Sequence, residues 1–444
     1  MSLSIVSRPA VTRAGELPDE FASQRAEVAD GARTTARADW WGFDEADSTG
    51  AIQAAIDSGA PHVVVPYVAK PWIVRPLTLR NDLEFELEPG VLLLAKKDEF
   101  RGRGDSLLSA IDLENVTIRG FGAVLRMRKS DYQQPPYEKA EWRMGIRIAG
   151  SQNVLVEGLR IESSGGDGIY VGSSGKHRWA EDVTLRDCVC YDNHRQGLSV
   201  VSAQNLLVER CTFSHTDGTA PEAGIDLEPD SEDERLANCV IRDCVFEHNS
   251  GHAILVYMKP LTSKSEPVSV RFENCVCRMG TPGMTPDDFT DASMTGWAGI
   301  SVGAVRDDGP QGLIEFVNCT SENTGKEGVK IFDKSADGVR VRFVDCRWGG
   351  PWVARHREYA GPRAPVLVHV RRSELTRRPG GIDFENCQVF NDTWTAPFRF
   401  EDDGAEAHLT DVHGSIRAHG SRGFRPHWGP DPVDVDLKLI EADD

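Results

Sequence analysis

The stretch AGIDLEPD, Ala223–Asp230, interleaves Ile225 and Leu227 with Asp226 and Glu228. Successive side chains of an extended chain point to opposite faces, so this alternation reads as a strand carrying two carboxylates on one face. Two strand steps set their Cα atoms about 6.6 Å apart. Rotamer choice then places the carboxyl tips about 5 to 9 Å apart, which brackets the separations used in retaining and inverting glycoside cleavage. Crowded carboxylates also raise one pKa, which supplies a general acid at neutral pH. Asp226 and Glu228 are therefore candidates for acid, base or nucleophile. Asp167, in GGDG (Gly165–Gly168), is a third candidate carboxylate. Two other readings stay open for the same residues. One is a solvated strand face; the other is a calcium site at Asp226, Glu228 and Asp230, since calcium takes oxygen ligands.

The elements that must hold these groups are repeats. Glycine-led segments recur as GIRI at Gly145, GIYV at Gly168, GLSV at Gly197, GIDL at Gly224, GISV at Gly299 and GVKI at Gly328, with AILV at Ala253. The usual step is 23 to 29 residues, with one of 46 from Ala253 to Gly299. Between them run segments ending in cysteine at Cys188, Cys211, Cys244, Cys275, Cys319, Cys346 and Cys387, with glycine in that slot at Gly120 and Gly158. A fixed period of short β-branched strands without helical periodicity predicts a solenoid whose equivalent strands stack in parallel, about 4.8 Å apart. The fold class is all-β, a single-stranded right-handed parallel β-helix. Seven of the ten cysteines share one slot of the rung and are expected as a buried ladder of free thiols.

Within each glycine-led strand, the residue after glycine is expected to point inward and the next outward. The outward column is then Arg147, Tyr170, Ser199, Asp226, Leu255, Ser301 and Lys330, with Glu228, Tyr257 and Phe332 two residues further on. Asp167 lies two rungs from Asp226, about 10 Å by stacking. Arg195 and Lys330 are placed to hold hydroxyls or a carboxylate, and His194 or His252 to tune the acid. Arg147, Tyr170, Tyr257 and Lys259 extend the binding face. Trp142 and Arg143 flank it, the indole suited either to stacking on a sugar ring or to an edge role. The long segment from Arg278 to Gly299 is expected to form one wall of the groove.

GFDEADSTGAIQAAIDSGAPHVVVP, Gly42–Pro66, reads as a helix capped by Asp47 or Ser48 with an Ile52, Ala55, Ile56 stripe, followed by a strand. With WIVRPLTLRNDLEFELEPGVLLLA, Trp72–Ala95, it resembles the entry of the pectate-lyase-like and polygalacturonase-type β-helix superfamily, where a helix caps the solenoid. GGDGIY, NHRQG and GIDLEP also resemble bacterial proteins described as right-handed β-helix regions. The polygalacturonase motifs are not intact: of the paired-aspartate motif only Asp167 remains. The resemblance implies an N-terminal arm over 1–38, a β-helix over 39–415 and a tail or cap over 416–444.

A net charge of −19 disfavours nucleic acid and anionic membranes as partners. No run of eighteen apolar residues exists to span a bilayer. The first residues lack the apolar core of a signal peptide, so the chain is expected to be cytoplasmic, or secreted with its leader removed. The expected partner is a carbohydrate and the expected assembly a monomer or homotrimer. The expected activity is that of a glycoside hydrolase without cofactor, calcium apart. The rival readings are a uronate lyase or C5-epimerase and a non-catalytic carbohydrate-binding solenoid.

Overall fold

A computed structural model describes residues 19–278, 297–349, 364–391, 395–404, 406–420 and 424–442. The chain coils as a parallel β-helix. One face is a twelve-stranded sheet; two further columns join into a second sheet through the long strand Gly380–Phe390. Sheet pairing reaches the C-terminal strand Asp434–Glu441, which pairs with Thr410–His419.

On the twelve-stranded face, Ile146, Ile169, Leu198, Ile225, Ile254, Ile300 and Val329 are successive register partners, and all are buried in the lumen. Arg147, Tyr170, Ser199, Asp226, Leu255, Ser301 and Lys330 form the neighbouring register column. The period-2 alternation thus fixes which residues leave the lumen. Glycine leads these strands because successive rungs approach too closely for a side chain. A Cβ on Gly197 would sit 2.6 Å from the Gly224 carbonyl oxygen, and one on Gly224 2.7 Å from that of Ala253.

Stacked like side chains fill the lumen. Phe272, Phe316, Phe343 and Phe384 form a ladder with ring centroids 4.9, 5.1 and 5.5 Å apart and nearly parallel planes. All ten cysteines are buried and free. Those of the shared slot point Sγ at main-chain carbonyls, as Cys188 does at Arg186 O, 3.2 Å away. The N-terminal helix spans Thr49–Asp57 and buries Ile52, Ala55 and Ile56. Asp47 rather than Ser48 serves its first turn, accepting the Thr49 N–H at 3.0 Å, while the Ser48 hydroxyl donates to Asp44 O. No helix among the described residues is long and apolar enough to cross a membrane.

Candidate functional site

The chain enters the twelve-stranded face through the turns before Gly168, Gly197 and Gly224, and these turns bring charged groups of different rungs together. Gly166 O accepts the backbone N–H groups of both His194 and Arg195, at 3.1 and 3.0 Å. That anchors Arg195 beside Asp167. Its guanidinium lies 3.9 Å from Asp167 Oδ1 and 3.5 Å from Glu228 Oε2. Gln196 Nε2 donates to Asp226 Oδ2 at 2.5 Å. Three carboxyl groups from two sequence segments therefore converge around one arginine.

Their environments differ. Glu228 keeps 32 % of its side chain exposed. Asp226 is fully buried, which corrects the expectation that it faces open solvent. It does leave the lumen, but Gln196 from the preceding rung and the neighbouring Arg195 and Glu228 cover it. Burial first, and then the adjacent Glu228 carboxylate, hold the Asp226 carboxyl well above the usual range; Arg195 opposes both. Asp167 is also fully buried, and neither carboxyl oxygen has a hydrogen-bond partner. Burial pushes it up to about 7 against the pull of Arg195.

The Asp167 shift has a consequence for stability. The folded carboxyl keeps its proton up to about 7, while the unfolded one releases it near the ordinary 3.8. Between those values the native state binds more protons, so this contribution is full below the unfolded pKa and is lost as pH rises through the folded one. Asp167→Asn removes the loss. Its melting temperature relative to the parent protein should climb between about pH 4 and pH 8. An offset that stays constant across that range would contradict the assignment.

The other candidate residues fall into separate groups. Tyr170 sits beneath the Arg147 guanidinium, 5.8 Å from its ring centroid, and burial raises its hydroxyl to about 12. His194 turns away from the carboxylates; its Nε2 meets the Thr219 hydroxyl at 2.9 Å, and burial lowers its pKa. Arg143 is a correction. It is fully buried, and its guanidinium donates to the carbonyls of Phe100, Arg101, Glu138 and Ala140 while packing on Tyr132. It is spent on tying two loops together and offers no donor to a ligand. Trp142 is 38 % exposed and lies against Arg103, 4.8 Å from its guanidinium carbon. Lys259 follows the Ile254–Tyr257 strand, and its carbonyl accepts from Arg306. His252 and Lys330 line a separate cavity, where Phe332 stacks toward Tyr257 at 6.4 Å. Of the expected wall between Arg278 and Gly299, residues 279–296 lie outside the described residues.

Gln196 carries no catalytic signal of its own, but its place is legible: it directly precedes the glycine of its strand, as Asp167 does. Asp226, Glu228 and Asp230 do not gather as a cation cage. Among the described residues, three ligand-type side chains approach one another that closely at His62, Glu84 and Glu86, where Arg119 already donates to Glu84 at 2.7 Å.

Fold and register together define a right-handed parallel β-helix. The model of the family described as "Right handed beta helix region" matches residues 109–285. The SPbeta prophage-derived protein YorA of Bacillus subtilis (strain 168) is 26% identical over 291 residues, 62% of this chain and 46% of the relative. A second relative, YclG of the same strain, is covered to 35%, so the chain spans less than half the length of the curated relatives it matches. Among solved structures, the Dettilon tailspike protein superposes with a TM-score of 0.63 at 11% identity, covering 90% of this chain and 69% of that one. The Azotobacter vinelandii mannuronan C-5 epimerase AlgE4 A-module gives 0.59 at 13%, covering 91% and 99%. The exopolygalacturonase of Thermotoga maritima gives 0.52 at 14%, covering 94% and 96%. At such identities the likeness is one of fold.

Proposed function

We propose that the chain is a carbohydrate-active enzyme, and specifically a glycoside hydrolase acting at Asp226, Glu228 and Asp167. One observation carries the reading: part-exposed Glu228 lies beside buried Asp226, whose carboxyl burial raises, while Asp167 stands across the Arg195 guanidinium. Acidic residues on a solvated strand face have no cause for a raised pKa, whereas burial raises those of Asp226 and Asp167 in the direction a general acid requires. That three solved structures of this fold are named as a tailspike, an epimerase and a polygalacturonase supports the same class.

In this mechanism Asp226, its carboxyl raised by burial, supplies a proton through Glu228 to the glycosidic oxygen as the bond to the anomeric carbon breaks. Water adds to that carbon, and Asp167 takes its proton. Arg195 keeps the carboxylates apart and offsets the charge left on the pair. Asp167 is fully buried, so water reaches it only if a neighbouring turn shifts.

A uronate lyase or epimerase is the second reading, favoured by the cations Lys330 and Arg371 on the same face. Incubation with a panel of neutral and acidic polysaccharides separates the readings. The hydrolase releases reducing ends without near-ultraviolet absorbance. Absorbance from an unsaturated product would favour the lyase, and binding without turnover would favour a recognition module.

A further inference from the structure

We infer that the strand Asp434–Glu441 pairs antiparallel with the same strand of a second copy of this chain, so that two solenoids join end to end about a two-fold axis. The inference concerns assembly and does not rest on the carbohydrate reading.

The two ends of the coil differ. At one, the helix Thr49–Asp57 packs over the lumen with Ile52, Ala55 and Ile56 fully buried. Among the described residues no helix follows Gln133, and none covers the other end. There Val412 and Ile416 are fully buried, whereas their register partners Val435 and Leu439 are only partly buried, as is Leu437 between them. The strand Asp434–Glu441 pairs with Thr410–His419 on one side and with no other strand among the described residues. Ala442 donates its N–H to Ala418 O at 3.0 Å. Peptide groups alternate sides along a strand, so those of Leu439, Leu437 and Val435 turn to the unpaired edge. A row of unpaired N–H and C=O groups is a template for another strand.

The strand is complementary to itself. Its outward side chains, Asp434, Asp436, Lys438 and Ile440, are exposed. With the two-fold axis at Leu437, Asp436 faces Lys438 of the second copy, and Lys438 faces Asp436 of the second copy. On the lumen side Val435 then meets Leu439, and Leu437 meets its own equivalent. Axes at Asp436 or Lys438 would set two like charges opposite each other, which destabilises a strand pair. Leu437 also turns its peptide groups to the edge, so the pair on the axis can exchange both N–H···O=C bonds. The Asp436 and Lys438 side chains are 75 and 73 % exposed, and their contact within the strand is a long 4.0 Å, which leaves both able to reach across. A lone lysine on an edge guards against pairing; here Asp436 supplies its complement. The junction would join the apolar rows of the two copies into one continuous lumen and shield Val435, Leu437 and Leu439 from water.

The full chain is examined by sedimentation equilibrium over a range of concentrations, with circular dichroism to confirm that each variant is folded. The parent protein should reach twice the mass of one chain. Lys438→Asp and Asp436→Lys should each raise the dimer Kd about tenfold or more, since each sets like charges opposite each other twice. The double variant Asp436→Lys/Lys438→Asp should dimerise as the parent does. An equimolar mixture of the two single variants should also form dimers, because each then meets its opposite. A parent chain that stays monomeric at every concentration, or forms a trimer, would overturn the inference. So would a dimer unmoved by either folded single variant, or one that neither the double variant nor the mixture restores.

Discussion

Glu228→Gln should lower turnover of the responsive polysaccharide by about 10²- to 10⁴-fold, the usual contribution of a positioned general acid. The melting temperature should hardly move. Glu228 is part-exposed, and its contact with Arg195 is a long one of 3.5 Å. Pairs of that kind contribute about 0–1 kcal/mol. The amide keeps the size of the side chain and removes only its ability to pass a proton. Asp226→Asn should cost activity on a similar scale by a different route. Its amide still accepts from Gln196, but it can no longer supply a proton to Glu228. Measuring kcat on the substrate found in the panel, with circular dichroism to confirm folding, decides the matter. Undiminished kcat in both amides would end the hydrolase proposal.

Phe316→Ala should destabilise the chain by about 3–5 kcal/mol, the range for deleting a buried aromatic ring. Phe316 is fully buried between Phe272 and Phe343, with centroids 4.9 and 5.1 Å away. Its removal leaves both neighbours facing a void that stacked rungs cannot close, because the hydrogen-bonded spacing between rungs is set by the sheets. Each rung of a solenoid touches only its neighbours, so the weakness should concentrate around these coils. Leu313→Ala is the matched control: it lies in the same strand, Gly312–Val317, and is 38 % exposed. Denaturant midpoints for the two variants should differ clearly, with hydrogen exchange fastest near Phe316. A midpoint for Phe316→Ala no lower than that for Leu313→Ala would contradict the account of the lumen.

The two predictions rest on parts of the molecule that are legible to different degrees in the chain itself. Phe272, Phe316, Phe343 and Phe384 fall in one slot of the cysteine-ended segments, so their stacking follows from the period. Asparagine and aspartate recur at the turn leading into those segments, as in Asp182, Asn205 and Asn238. There the structure holds them at positive φ near 53° and joins them by amide hydrogen bonds of 2.9 Å. That ladder can also be read from the repeat. Arg143 could not be placed from the sequence. Nothing local distinguishes an arginine reaching for substrate from one binding the carbonyls of Phe100 and Glu138, because those partners belong to other loops.

The sequence by itself determined the coil, its register and the side on which Asp226, Glu228, Tyr170 and Lys330 leave the lumen. These follow from the alternation of side chains along a strand and the exclusion of any Cβ at the stacked glycines, both of which act over a few residues. Only the tertiary structure decided that Asp226 and Asp167 are sealed from water, that Arg195 lies between Asp167 and Glu228, and that Trp297 and Arg371 meet Lys330 in one cavity. Burial and electrostatic coupling depend on which distant turns lie over a face, and no spacing within one strand records that.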